Sequence, residues 1–160
     1  MLDWLLKQVL EKLQILENIQ TIITRRQIMQ SNILEGVYAH VTNLLGKDTI
    51  EILEIEAGHI RLLAKVTDVA INMYGGLHGG YLYTLCDTAA GMCAYTHEAT
   101  NLTQNSSITY LRGSSSKHLY VEANTLHKGR RTVVTRVDII DDENHLLVTS
   151  NFSMFLTGTI

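Results

Sequence analysis

The stretch that decides the fold is NMYGGLHGGYLYTLCDTAAG, residues 72–91. Two glycine pairs flank His78, and a run with helical apolar spacing follows, in which Asp87 is the single acid. Glycine permits close backbone approach, and the first turn of a helix offers N–H groups that have no partner inside the helix. The stretch therefore predicts a helix that starts at Gly79-Gly80, with amides able to hold an anion or the oxyanion that develops during acyl transfer.

Several other kinds of site are disfavoured by the same residues. No lysine followed by serine or threonine comes after the glycines, so a phosphate-binding loop is not predicted, and the dinucleotide glycine fingerprint is absent. His78, Cys86 and Cys93 lack the ligand spacing of a zinc site, so we expect no metal. The chain has no Gly-x-Ser-x-Gly nucleophile elbow, which argues against a serine hydrolase.

The two faces of the predicted helix, residues 79–96, differ in character. At 100° per residue, one face is apolar and is expected to contact a sheet: Leu82, Leu85, Cys86, Ala89, Met92 and Cys93. The opposite face is small and polar, which suits close approach by another backbone or a ligand: Gly80, Thr84, Asp87, Gly91 and Ala94. Asp87 is eight residues past Gly79, roughly 12 Å along a straight helix. Either Asp87 is structural, or two subunits place their helices side by side and antiparallel, so that one carbonyl meets Gly79 of one chain and Asp87 of the other.

The rest of the chain adds a helical start and a set of strands. Residues 2 to about 29 have an amphipathic helical pattern, for which packing on a domain is favoured over a coiled coil or a membrane-surface helix. A short helix is predicted at 32–45. Alternating segments at 49–56 and 59–67 predict a hairpin turning at Ala57-Gly58. Four further strands complete an antiparallel meander and an α+β domain: 102–111, 118–126, 131–140 and 145–157. We therefore predict an N-terminal amphipathic extension, 1–31, and one domain, 32–160.

Composition narrows the setting. The 160 residues are 46% hydrophobic and carry a formal charge of −3, which gives no long-range attraction for nucleic acid or an anionic membrane. No apolar run could span a bilayer, and charges interrupt the N-terminus, so no secretory signal is predicted. Cys86 and Cys93 suit two reduced core thiols, since their spacing of about 10 Å on a helix disfavours a disulfide. A cytoplasmic protein is expected.

One combination of residues resembles a known family. Asn72-x-x-Gly75-x-x-His78-Gly79-Gly80 followed by Asp87, with SITYLRG and HKGRRT further on, closely resembles the hot-dog-fold acyl-CoA thioesterases of the PaaI-like (phenylacetic-acid-pathway) group. The resemblance covers residues 33–157. It implies a long helix wrapped by an antiparallel sheet, an acyl-CoA substrate, no cofactor beyond the coenzyme A of that substrate, and a homodimer with shared active sites that could pair again into a tetramer.

The resemblance also implies roles for individual residues. The Gly79 N–H polarises the thioester carbonyl, with Gly80 beside it, and Asn72 positions the thioester or the attacking water. His78 shapes the glycine turn and lies near the thioester. Asp87 of the partner subunit acts as general base or as nucleophile, and Thr103 orients the water with it. The nucleotide end of coenzyme A is expected at these basic positions and the glycine between them: Arg112, Lys128, Gly129, Arg130 and Arg131.

Two classes of function are compatible with these residues. The first is hydrolysis of a small or medium acyl-CoA to the free acid and coenzyme A. The second is a non-catalytic module that senses acyl-CoA, since a fold alone does not guarantee chemistry. Asn72, Asp87 and Thr103 together favour the enzyme, because a sensor would need none of the three. A hot-dog dehydratase would depend on a catalytic histidine in a different motif.

The sequence departs from the family pattern after Arg112. Gly113 and three serines stand where relatives often carry proline, which loosens the loop after Arg112.

Overall fold

The structure is a computed structural model that describes residues 30–40, 45–46 and 48–160. The chain divides into two compact units, Met1–Glu35 and Gly36–Ile160. Residues 30–40 are helical (α1), as is residue 45, in agreement with the short helix predicted at 32–45. The amphipathic helix predicted for residues 2 to about 29 lies outside the described residues. The proposed domain boundary after residue 31 therefore stays a prediction.

In the described part of the second unit, six antiparallel strands and one long helix follow the end of α1. The helix α2 spans Gly79–Tyr95, and a short 3-10 turn, Asp68–Ala70, precedes it. The strands are β1 Ile50–Glu56, β2 His59–Lys65, β3 Ala99–Tyr110, β4 His118–Lys128, β5 Thr132–Asp141 and β6 Leu146–Thr159. They make one sheet in the order β1-β2-β4-β5-β6-β3. The predicted strands, hairpin and helix are thus all present, within a few residues at their ends.

The predicted order of the last four strands was wrong in one respect. The chain leaves α2 into β3, which pairs with β6 at the far edge of the sheet rather than with β4. The connection of residues 111–117 then returns the chain to β4, which pairs with β2 and β5. Only β4, β5 and β6 form a meander. Hairpins pair neighbouring strands by default, but the seven-residue connection after β3 is long enough to cross the sheet and permits another partner.

The core lies between α2 and the concave face of the sheet. The six residues of the predicted apolar face are all buried: Leu82, Leu85, Cys86, Ala89, Met92 and Cys93. Facing them are alternate residues of the central strands, as the period of two requires: Ile60, Leu62, Leu119, Val121, Val133, Val137, Ile139 and Phe152. Burial raises the pKa of the Cys86 thiol to about 12, and both cysteines are free and buried. They are core side chains rather than reactive ones.

The small face of α2 departs from expectation at its C-terminal half. Ala94 is fully buried, and an added Cβ at Gly91 would lie 3.6 Å from Asn101 Oδ1 and 3.7 Å from Met154 Cε. The edge strand β3 and its neighbour β6 therefore cover this part of the helix within the same chain. Gly80 is exposed and Thr84 is half-buried. The N-terminal half of the small face is therefore open to a second backbone, whereas at Gly91 the face borders a pocket within the same chain.

Among the described helices, none combines the length and the apolar character that a membrane-crossing segment needs.

Candidate active site

The loop before α2 is closed by the side chain of Asn72. Its Oδ1 accepts hydrogen bonds from the N–H of Tyr74 at 2.9 Å and of Gly76 at 3.1 Å, and its Nδ2 donates to Leu77 O at 3.2 Å. Gly75 has a φ of +80°, a conformation that glycine adopts without strain. An amide NH₂ carries two hydrogens, so Asn72 has one left to donate to a ligand. The residue is first of all the brace of the glycine loop.

His78 is exposed, and its side chain caps the start of helix α2. Its Nδ1 accepts a hydrogen bond from the Gly80 N–H at 2.9 Å, and its backbone is extended, as an N-cap residue requires. Because Nδ1 accepts, the ring carries its proton on Nε2 in this arrangement. The N–H of Gly79, in contrast, has no hydrogen-bond partner among the described residues. Of the two glycine amides, Gly79 is therefore the one available to a ligand.

Asp87 and Thr103 meet between α2 and β3. The Thr103 hydroxyl donates to Asp87 Oδ1 at 2.7 Å, and both residues line a pocket of about 380 Å³. The pocket continues along the side of α2 and is largely apolar, with these further residues in its wall: Gly36, Val37, His40, Gly91, Met92, Tyr95, Thr100, Asn101, Leu102 and Met154. An engineered protein cavity of about 150 Å³ suffices for benzene. This pocket can hold an acyl group considerably larger than that, with its reactive end at Asp87.

Four hydrogen bonds join α2 to β3 at every fourth residue of the helix. Tyr110 donates to Gly79 O at 2.9 Å, Tyr83 and Ser106 share a hydrogen at 2.8 Å, Thr103 bonds Asp87, and Asn101 Nδ2 donates to Gly91 O at 3.0 Å. Positions i, i+4, i+8 and i+12 lie along one stripe of a helix. These four bonds hold the edge strand along α2.

A β-bulge makes that alignment possible. Thr103 is opposite Met154 and Asn105 is opposite Ser153, so Gln104 is the extra residue. Residues seven apart in a regular strand face opposite sides, yet Thr103 and Tyr110 both face α2. The extra residue shifts the alternation of side chains by one position, so Tyr110 in the second half of β3 faces α2 as Thr103 does.

The predicted basic residues form two groups at opposite ends of β5. Arg112 lines a polar pocket of about 400 Å³ with Asp141 and His145, beside the turn after β5. The turn 127–131 precedes β5, about 30 Å away at the rise of a β-strand. In this turn, Lys128 and Arg130 are exposed on either side of Gly129. The Arg131 guanidinium lies 4.9 Å from the centre of the Phe155 ring. The structure does not bring Arg112 and this turn together in one chain.

The site residues thus fall into two halves. Asn72, His78, Gly79 and Gly80 lie at the N-terminus of α2, where Tyr110, two residues before Arg112, bonds to Gly79. Asp87 and Thr103 lie about 12 Å further along the same helix, on the side of the 127–131 turn. Among the described residues there is no cluster of three or more side chains suited to a metal.

The sequence did not identify Tyr110 or the pocket wall as parts of the site. Tyr110 is part of a motif that the resemblance included, but its face could not be inferred across an unrecognised bulge. The wall combines residues from α1, α2, β3 and β6, which are far apart in the sequence. The single available signal in the sequence was a tyrosine, Tyr110, in the same predicted strand as Thr103 and seven positions after it.

Comparison with known proteins agrees with this geometry. Residues 74–148 match the family model of the thioesterase superfamily. A thioesterase-like protein from Streptococcus pneumoniae, solved with coenzyme A, is 31% identical with a TM-score of 0.73, over 79% of this chain and 98% of that one. A Streptococcus mutans protein, solved with acetyl-CoA, is 32% identical with a TM-score of 0.67, over 69% of this chain and 90% of the other.

A curated relative gives the activity of the group a name. The Escherichia coli acyl-coenzyme A thioesterase PaaI is 26% identical over 59% of this chain and 68% of its own length. The Streptococcus pneumoniae protein has also been solved as two variants, each 34% identical to this chain. One variant replaces an aspartate by alanine and the other replaces a threonine by alanine, and the two positions are 16 residues apart. Together with the helix wrapped by an antiparallel sheet, these likenesses confirm the predicted hot-dog fold and the resemblance. The chain belongs to the thioesterase superfamily, in its PaaI-like group, and is a thioester hydrolase.

Proposed function

We propose that this protein hydrolyses a small or medium acyl-CoA to the free acid and coenzyme A. The observation that carries the proposal is the Asp87–Thr103 hydrogen bond at one end of an apolar pocket, which joins a potential base to a space for an acyl group. The same separation of 16 residues divides the aspartate and the threonine that were replaced in the Streptococcus pneumoniae relative. Coenzyme A and acetyl-CoA in two relatives support the acyl-CoA class of substrate.

The reaction requires one activated oxygen and one stabilised oxyanion. In the general-base route, Asp87 removes a proton from water, the water oxygen bonds to the carbonyl carbon, and the carbon–sulfur bond then breaks. The proton passes to the departing thiolate, so coenzyme A leaves as the thiol and Asp87 is restored. In the alternative route, an Asp87 oxygen bonds to the carbonyl carbon, and the carbon–sulfur bond breaks to release coenzyme A as the thiolate. Water then hydrolyses the resulting anhydride to the free acid and the Asp87 carboxylate, and its spare proton passes to the thiolate. In both routes the Gly79 N–H stabilises the negative carbonyl oxygen.

Two subunits complete the site in this proposal. Gly79 and Asp87 are separated along one helix by more than a single carbonyl can bridge, so the N-terminal half of one site pairs with the Asp87 half of another chain. The basic groups then converge as well, because Arg112 lies two residues after Tyr110, which bonds to Gly79, and the 127–131 turn lies on the side of Asp87. The active species is a homodimer, which could pair again into a tetramer. The reaction uses no cofactor besides the coenzyme A of the substrate, and the cytoplasm is its proposed location.

A hydrolysis screen tests the activity. Purified protein is assayed with short, medium and aromatic acyl-CoAs by release of free thiol, and Asp87→Asn is the matched control. Turnover of at least one substrate that depends on Asp87 is the expected result. Saturable binding of acyl-CoA by the native protein without any thiol release would overturn the enzymatic proposal and favour the sensing module.

The shared site has its own test. Proline at Gly79 removes the N–H, and the helix tolerates it because Gly79 is the first helical residue and His78 is already extended (ψ 122°). The Gly79→Pro and Asp87→Asn chains, each with a low residual kcat, are mixed through unfolding and refolding. Random pairing should restore about a quarter of the wild-type sites, because each heterodimer holds one site with both defects and one intact. If confirmed heterodimers are no more active than the parents, the two-chain site is wrong.

A further inference from the structure

The peptide group between Gly79 and Gly80 is held from both sides. Its carbonyl oxygen accepts the Tyr110 hydroxyl at 2.9 Å, and its N–H donates to His78 Nδ1, also at 2.9 Å. One chain of hydrogen bonds therefore runs from Tyr110 through the peptide to the His78 ring. Hydrogen bonds in such a chain polarise and strengthen one another. The peptide that follows the Gly79 N–H has little freedom to rotate.

The ring of Tyr110 restrains the same residue by contact. An added Cβ at Gly79 would lie 3.5 Å from Tyr110 Cζ and 3.6 Å from its hydroxyl oxygen, so the end of the ring lies over the Gly79 Cα. The strand that carries Tyr110 is fixed in turn, since Tyr110 is opposite Val148 of β6 and the Leu111 N–H donates to Leu147 O at 2.8 Å. Burial raises the pKa of the Tyr110 phenol, so the hydroxyl stays protonated and able to donate at neutral pH.

We propose that Tyr110 is a positioning residue for the oxyanion site: its hydroxyl and ring fix the Gly79–Gly80 peptide, and with it the direction of the free Gly79 N–H. The inference rests on the proposed function, because it gives Tyr110 a role in the same hydrolysis. Tyr110 itself does not touch the reacting atoms. It acts through Gly79, and it does so from β3, the same strand that carries Thr103.

The expected effect is on turnover rather than on binding. A donor aimed where charge develops contributes mainly in the transition state, and a small misplacement of catalytic geometry is costly. Tyr110→Phe keeps the ring over Gly79 and removes only the hydroxyl. We expect kcat to fall roughly tenfold with KM little changed.

Tyr83→Phe is the matched control. Tyr83 also joins α2 to β3 through its hydroxyl, but its partner is Ser106 and it lies one helical turn from Gly79. If Tyr110 merely stabilised the helix–strand contact, both variants would lower Tm and kcat alike. We expect similar small changes in Tm, with the loss of kcat confined to Tyr110→Phe. Equal effects on kcat would overturn the inference.

A double-mutant cycle gives an independent readout. Once Gly79→Pro has removed the N–H, its orientation no longer matters, so adding Tyr110→Phe should produce no further loss of kcat. Additive losses would show that Tyr110 acts elsewhere. The two levels of proposal fail separately: absence of any Asp87-dependent hydrolysis contradicts the proposed function, whereas intact hydrolysis with wild-type kcat in Tyr110→Phe contradicts only this inference.

Discussion

Thr103 donates its hydroxyl hydrogen to one oxygen of Asp87, Oδ1, at 2.7 Å. Within the described part of the chain, the other oxygen has no hydrogen-bond partner. The two oxygens of the carboxylate are therefore distinct, with one anchored to β3 and the other available to water or to a carbonyl carbon. A threonine hydroxyl also keeps its lone pairs, so it can accept a hydrogen from the same water.

Replacing Asp87 by asparagine tests the base directly. The side chain keeps its shape and can keep the bond to Thr103, but it can neither remove a proton nor form an anhydride. We expect kcat on the best acyl-CoA to fall by about 10²-fold or more, with the fold and ligand binding retained. Steady-state kinetics and circular dichroism check both parts. Wild-type kcat in the purified variant would return Asp87 to a structural role.

A pair of substitutions at Thr103 separates its hydroxyl from its shape. Thr103→Ser keeps the donor to Asp87 and should retain most of the activity. Thr103→Val matches the volume but removes the donor, and we expect kcat to fall roughly tenfold. Because Thr103 is exposed at the edge of the sheet, neither change should lower Tm by more than a few degrees. Equal kcat values for the two variants would contradict a role for the hydroxyl.

Gly91 links the pocket to the helix. An added methyl group would make ordinary contacts with Asn101 and Met154, at 3.6 and 3.7 Å, and would occupy part of the pocket wall. Gly91→Ala should therefore raise the free energy of unfolding by about 0.5–1 kcal/mol, because alanine favours the helix interior. It should also shift the preference toward shorter acyl groups. Denaturant melts and kcat/KM across a series of chain lengths check the two effects.

The 127–131 turn is the predicted grip for the coenzyme A phosphates. Replacing Arg130 and Arg131 by alanine should raise KM for acyl-CoA far more than KM for a truncated pantetheine thioester, since phosphate contacts act equally on ground and transition states. Arg136→Ala is a suitable control, because Arg136 belongs to the neighbouring strand and pairs with Asp138. Equal changes of KM for the two substrates would remove these arginines from the site.

The junction between the C-terminal end of α2 and strand β4 predicts a dependence of stability on pH. His97 Nε2 lies 3.0 Å from Thr125 Oγ1, and desolvation followed by the charge of Lys128 lowers the pKa of His97. The unfolded state therefore binds a proton at higher pH than the folded state does. The stabilising contribution is complete above the unfolded pKa of about 6.5 and is lost as pH falls through the lower folded value. We expect His97→Gln to reduce the loss of Tm between pH 7 and pH 5.

The sequence was informative wherever its signals were local. The Ala57-Gly58 pair predicted the hairpin turn, and Gly58 indeed has a φ of +79°, a conformation that favours glycine. The apolar face of α2 predicted which residues of the helix the sheet would cover. Strand pairing is not local: nothing in the alternation of β3 indicates that it pairs with β6 rather than β4. The sequence likewise gives no indication of the bulge at Gln104, although the bulge decides which face of the sheet Tyr110 occupies. The Asp87–Thr103 pair was anticipated through the resemblance to relatives, not through periodicity.

The pairing of β3 with β6 also sets an order for folding. The ribosome makes Asp87 and Thr103 well before Leu146–Thr159, the strand β6 with which β3 pairs in the described part of the chain. Contacts between segments that are distant in the chain form slowly, because the intervening loop must close first. A nascent chain that ends before residue 146 would contain the complete Asp87–Thr103 pair but lack the strand that aligns it. Catalytic competence is therefore expected to appear late in synthesis, after helix α2 is already complete.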